Sequence, residues 1–120
     1  MSTQIIYNDI ILKRGSNAIE NTELVTHANP DHWWVHMSLL PSPHVIILSD
    51  TINDDILSIA GNFCLNGLSK HKQQKIKSVF PICYCKIRNI IVTDVPGEIE
   101  FKSNHRKKLF HTNIYKNEIL

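Results

Sequence analysis

No run in this chain of 120 residues approaches the ~18 consecutive apolar residues that a membrane-spanning helix needs. The opening Met1-Ser2-Thr3-Gln4 has no basic lead into a long apolar core, so a secretory signal is not expected. Cysteine is sparse and odd in number. Cys64, Cys83 and Cys85 suit unbridged thiols in a reducing compartment, and the expected location is cytoplasmic. Glycine is sparse too: the four glycines are scattered, none in a G-x-G pattern, which excludes a glycine-rich phosphate loop. Cys83-x-Cys85 has no second pair and falls short of the four-ligand set of a structural zinc site. Internal repeats, low-complexity linkers and sustained heptads are all missing. No resident metal or cofactor is expected.

What remains is ordinary apolar content with moderate charge, the composition of a globular protein. The length suits a single domain over residues 1–120, its core over about 5–113, and one buried core rather than two. Abundant Ile, Asn and Lys, with AT-rich codons, point to an AT-rich genome such as that of a virus or parasite.

Charge is unevenly spread. Residues 1–69 carry two basic groups against seven acidic ones, a net charge of −5. Residues 70–120 carry eleven against four, a net charge of +7. A basic region of that size is what a phosphate backbone seeks, although lysines also serve simply to keep a surface soluble.

Local patterns predict an α+β fold: an antiparallel or mixed sheet with one main helix packed on it. Apolar pieces Ile5–Tyr7 and Ile10–Leu12 around the turn-prone pair Asn8-Asp9 predict a β-hairpin. Residues 20–28 predict a short helix with Leu24, Ala28 and Ile19 inward, closed by Asn29-Pro30. Spacings of three and four among Ile52, Ile56, Ile59, Ala60, Phe63, Cys64, Leu65 and Leu68 predict the main helix over 53–71. Residues 79–92 are β-rich, with Ile82, Tyr84, Lys86 and Arg88 on one face and Cys83, Cys85 and Ile87 on the other. Strands over 98–102 and 108–113 are predicted to form a hairpin whose tip carries Arg106, Lys107 and Lys108.

The densest stretch is residues 27–48, which hold two tryptophans and four histidines. Strand alternation from Asp31 to Met37 sets Trp33, Val35 and Met37 against Trp34, His36 and Ser38. Trp34 and His36 then share a face. Pro41-Ser42-Pro43 bends the chain, and His44 opens the next strand, His44 to Leu48. Two imidazoles at adjoining strand ends can converge on one spot; a packed, hydrogen-bonded histidine is the plainer alternative. Trp34 offers a face for base stacking, His36 and His44 offer hydrogen bonds, and Tyr84, Lys86 and Arg88 add an aromatic and cationic strand face. RNA binders combine these features on a sheet surface.

The order of these residues resembles the NFACT-R domain, the RNA-binding-type module of ribosome quality-control factors. Pro30-Asp31-His32-Trp33-Trp34-Val35-His36, followed by His44-Val45-Ile46-Ile47, is similar to its signature. The family tryptophan falls on Trp34, its histidines on His36 and His44, and its serine on Ser42. The family acidic position falls on His32, with Asp31 one place earlier as the possible pocket carboxylate, and its threonine on Cys85. Gly15, Asn21, Leu24, Ala28 and Pro30 resemble the family lead-in. Tyr84-Cys85-Lys86-Ile87-Arg88-Asn89-Ile90 and Pro96-Gly97-Glu98-Ile99 resemble later family segments. The closest type is a stand-alone form similar to coiled-coil-domain-containing NFACT-R proteins. The resemblance implies contact with RNA, either tRNA or ribosomal RNA, in translation or ribosome quality control. The expected contacts are Trp34, His36, Ser42, His44, Tyr84, Lys86, Arg88, Asn89, Arg106, Lys107 and Lys108. Two rivals stay open: an RNA-modifying enzyme using a His36/His44 acid–base pair, and an interaction protein that competes with full-length homologues.

Overall fold

Asn8 and Asp9 take φ of 48° and 65°, the paired left-handed conformation of a two-residue hairpin turn matched to strand twist. They join β1 (Thr3–Tyr7) to β2 (Ile10–Arg14) as the sequence predicts. The structure, a computed structural model, describes residues 2–102 and 107–115. The remaining elements are α1 (Ala18–Thr26), β3 (Trp33–Met37), β4 (Val45–Ile47), α2 (Asp54–Asn66), α3 (Lys70–Gln73), β5 (Val79–Lys86), β6 (Ile90–Val92), β7 (Ile99–Phe101) and β8 (Lys108–Asn113). Six strands form one antiparallel sheet in the order β1-β2-β4-β3-β5-β8, and β6 pairs with β7 alone. The fold is α+β, as predicted. No helix among the described residues is long and apolar enough to cross a membrane.

Both long helices start on asparagine caps. Asn17 Oδ1 accepts from the Glu20 N–H at 3.0 Å, and Asn53 Oδ1 from the Ile56 N–H at 2.9 Å. Two helix boundaries differ from expectation. α1 begins at Ala18, which turns Asn21 and Val25 inward and leaves Ile19 61% exposed. The predicted helix over 53–71 stops at Asn66, because Gly67 forms the C-cap and Ser69 caps the separate α3.

The predicted hairpin between residues 98–102 and 108–113 does not form. A tight turn ending in Gly97, at φ +82°, returns the chain locally, so β7 pairs with β6. β8 instead extends the main sheet along β5.

The expectation of one core is also corrected. The sheet separates two apolar clusters, because its central strands bury both faces. Leu12, Val35, Met37, Ile59, Phe63, Phe80 and Ile82 pack under α2. Trp34, Ile46, Cys83, Cys85 and Ile87 pack on the opposite side with Val25 of α1 and, at the periphery, Ile90, Ile99 and Phe101 of the β6–β7 pair. A second layer this small closes because short apolar pieces from α1 and β6–β7 cap a strip of sheet only a few residues wide. The three thiols are divided between the clusters and form no disulfide.

Asn62, wholly buried in α2, ties the far end of β8 to the helix. Its amide donates to the Ser58 and Asn113 carbonyls, both at 2.9 Å, and its Oδ1 accepts from the Tyr115 N–H at 2.7 Å. Asn62→Leu keeps the volume and strands those groups. It is expected to cost about 2–3 kcal/mol in urea unfolding, with loss of amide-exchange protection concentrated at Tyr115. Unchanged protection there would refute the tether.

Candidate functional site

Register explains why two histidines eight positions apart meet. In the β3–β4 ladder Trp34 lies across from Ile46 and Val35 across from Val45, so the next step sets His36 opposite His44. Cross-strand partners share a face. The two imidazoles are 5.2 Å apart between centroids, at 84°. Trp34 completes the cluster: it stacks on His36 at 5.6 Å and 6°, meets His44 edge-on at 5.6 Å, and meets Phe101 of β7 edge-on at 5.7 Å.

The proline-bent link is held from inside. Ser42 Oγ accepts from the Met37 N–H at 3.1 Å and donates to the Pro43 carbonyl at 3.0 Å. The Ser42 N–H reaches Nε2 of His36 at 3.4 Å, which makes that nitrogen an acceptor. His44 is anchored through its backbone: its N–H donates to Asn21 Oδ1 at 3.1 Å, and its carbonyl accepts from the Gly15 N–H at 3.2 Å. A Cβ at Gly15 would overlap the Asn21 amide, so glycine is required for this approach.

Burial governs the electrostatics. It lowers the His44 pKa to about 4, helped by the neighbouring His36, and it lowers that of His36, helped by the charge of Lys107. Both imidazoles are neutral at pH 7. Burial raises Cys83, and raises Cys85 to about 12, so both stay protonated thiols. Among the described residues no three His, Cys, Asp or Glu side chains are placed to share a metal ion.

The predicted contact residues divide between the two faces of the sheet. Trp34, His36, His44 and Lys107 gather on the α1 side, where the Ser42 N–H also meets His36, while the Ser42 hydroxyl hydrogen-bonds Cys64 of α2 on the other side. Trp34 is 2% exposed, so it is a core ring rather than an open stacking platform; α1 and the β6–β7 pair cover the face that the sequence left open. Tyr84 and Lys86 lie on the α2 side with Trp33, the more accessible tryptophan. Lys86 Nζ sits 5.4 Å from the Trp33 ring, Tyr84 lies 5.9 Å from it, and Lys108 is the cross-strand partner of Tyr84. The Trp33 indole N–H donates to the Asp50 carbonyl at 3.0 Å.

Arg88 does not continue the face of Lys86, because a 3-10 turn over Ile87–Asn89 breaks the alternation. It pairs instead with Asp31, which is thereby placed away from the histidines rather than among them. The Asn89 carbonyl accepts from the Lys102 N–H at 3.0 Å. Arg106 lies outside the described residues.

Sequence reasoning missed three parts of this region: Asn21 as the anchor of His44, Phe101 as the lid over Trp34, and a cavity of about 360 Å³ between α1 and the sheet, lined among others by Lys13, Glu23, Leu24, His27 and Ile46. An asparagine four residues after an N-cap, beside Val25, was the available signal for the first.

No family model matches the chain, and no curated protein does. A solved structure does: the C-terminal part of the fibronectin/fibrinogen-binding protein from Streptococcus suis, at TM-score 0.80 and 18% identity. The match covers 98% of this chain and 47% of the other, so the chain spans about half the length of that structure. At that identity the likeness shows a shared fold, and the binding in the neighbour's name belongs to that protein.

Proposed function

We propose that the chain is an RNA-binding module of the NFACT-R type, acting on tRNA or ribosomal RNA. The observation that carries this reading is how sheet order converts a charge asymmetry in the sequence into one in space. β5 and β8 are neighbours on one side of the sheet, and α3 leads into β5. Lys70, Lys72, Lys75, Lys77, Lys86, Lys107 and Lys108 are therefore carried on or beside one margin, opposite the β1–β2 hairpin. All but the half-buried Lys86 are exposed. Such a margin suits a phosphate backbone, whose binding is driven by counterion release.

Binding is favoured over catalysis by the state of the histidines. A general acid–base pair needs one imidazole protonated near neutral pH, and burial keeps His36 and His44 both neutral.

Fluorescence anisotropy with a transfer RNA across a salt series tests the proposal. Affinity should fall steeply and linearly on a logarithmic plot, and each lysine removed from the margin should reduce the slope by about one. Lys86→Ala combined with Lys108→Ala is the first variant to measure. Absence of binding at low salt, or a slope indifferent to these changes, would overturn it.

A further inference from the structure

Two polar atoms in the Trp34 cluster stand out. The Trp34 indole Nε1 and His44 Nδ1 are buried and have no hydrogen-bond partner among the described residues, in side chains 2% and 4% exposed. Buried polar atoms are nearly always satisfied, and exceptions ask for an explanation. Both belong to rings in mutual contact, edge-on at 5.6 Å between centroids. An indole N–H can only donate. A neutral imidazole can place its proton on Nδ1 and donate as well. A cation stands at the margin: Lys107 Nζ is 5.8 Å from the ring of Phe101, which itself packs on Trp34. Lys107 is exposed, and its charge acts on His36.

We propose that Trp34 Nε1–H, His44 Nδ1–H and the Lys107 ammonium form a receptor for a terminal phosphate monoester, the end of an RNA chain; this rests on the RNA-binding reading. The chemistry fits on three counts. The donors suit an acceptor-rich anion, and no carboxylate of the described residues is among the groups that shift His36 or His44. One cation at the rim offsets the cost of bringing charge toward a buried site. The depth of the two rings selects the terminus: an internal phosphodiester carries a nucleoside on each side, whereas a monoester presents three oxygens on one. Closing contacts made by Lys107 would add to the hold. A bridging water is the competing occupant of such a site, and the experiment separates the two.

The chain has two tryptophans, and hence two indole N–H signals in a proton–nitrogen correlation spectrum. Trp33, bonded to the Asp50 carbonyl, is the internal control; Trp33→Phe assigns the pair. Titration of the full chain with uridine 5′-monophosphate, with uridine as control, should move the Trp34 signal and leave that of Trp33 in place. In anisotropy, a short RNA bearing a 5′-phosphate should bind about ten- to hundredfold tighter than the same RNA ending in a hydroxyl, the worth of charge-assisted hydrogen bonds. Lys107→Gln, an exposed substitution that should fold normally, should erase most of that ratio; Trp34→Phe, checked by thermal melting, should do the same. The proposal is overturned if neither the monophosphate nor phosphorylated RNA moves the Trp34 signal, the result a bridging water gives. If the monophosphate moves it but both RNAs bind equally, the RNA-end assignment is overturned and a free nucleotide is the source. If neither RNA binds while the monophosphate still moves the signal, the RNA-binding reading fails and the phosphate site stands.

Discussion

Trp34→Ala is expected to lower the free energy of unfolding by about 3–5 kcal/mol, the range for truncating a fully buried large aromatic. Trp34 is 2% exposed and sits between His36, His44 and Phe101. Its removal empties the centre of the smaller apolar cluster and unseats the β6–β7 pair. Against a typical total stability of about 5–15 kcal/mol, the loss is a large fraction. Urea unfolding with a fitted slope measures it. The result discriminates between two readings of the same residue. Were Trp34 an exposed stacking platform, alanine would change stability by no more than about 0.5 kcal/mol and would act on RNA affinity alone.

Acidification from pH 7 toward pH 4 should destabilise the fold before most carboxylates titrate. Burial, aided by His36, sets the folded pKa of His44 at about 4, while the unfolded value is about 6.5. The folded pKa is depressed, so between these values the unfolded chain binds the extra proton. Stability therefore rises with pH across the window and falls as pH drops through it. At the lower end the His44 contribution amounts to about 3 kcal/mol. His36, lowered by the same burial and by Lys107, acts in the same direction. Urea midpoints should decline steadily from pH 6.5 to pH 4, and His44→Gln should flatten the decline. A midpoint constant between pH 7 and pH 5 would show that the imidazoles reach solvent. If a phosphate monoester binds beside them, it should raise both pKa values and soften the acid response, since an anion favours the protonated form.

Much of the fold was legible in local pattern. The Asn8-Asp9 turn, the helical spacing from Ile56 to Leu65 and the alternation from Trp33 to Met37 are short-range features, set by backbone and side-chain preferences within a few residues. Other features depended on distant partners. β8 left its neighbour for β5, because β6 and β7 were already joined by a tight turn. The run from Tyr84 to Arg88 suggested one continuous face, yet the turn over Ile87–Asn89 redirects Arg88 to Asp31.

The same division holds for the candidate site. By itself the sequence determined that Trp34 and His36 share a strand face, and that a proline-bent link could bring His44 beside them. Alternation and register arithmetic require nothing more. Whether that face was open or covered depended on α1 and the β6–β7 pair, segments that pack from elsewhere in the chain and leave no periodic trace in residues 27–48. Only the tertiary structure decided that Trp34 is the buried tryptophan and Trp33 the accessible one, and that the two histidines are held neutral with a lysine at their rim. Those properties come from desolvation, and desolvation is a sum over everything that packs around a group.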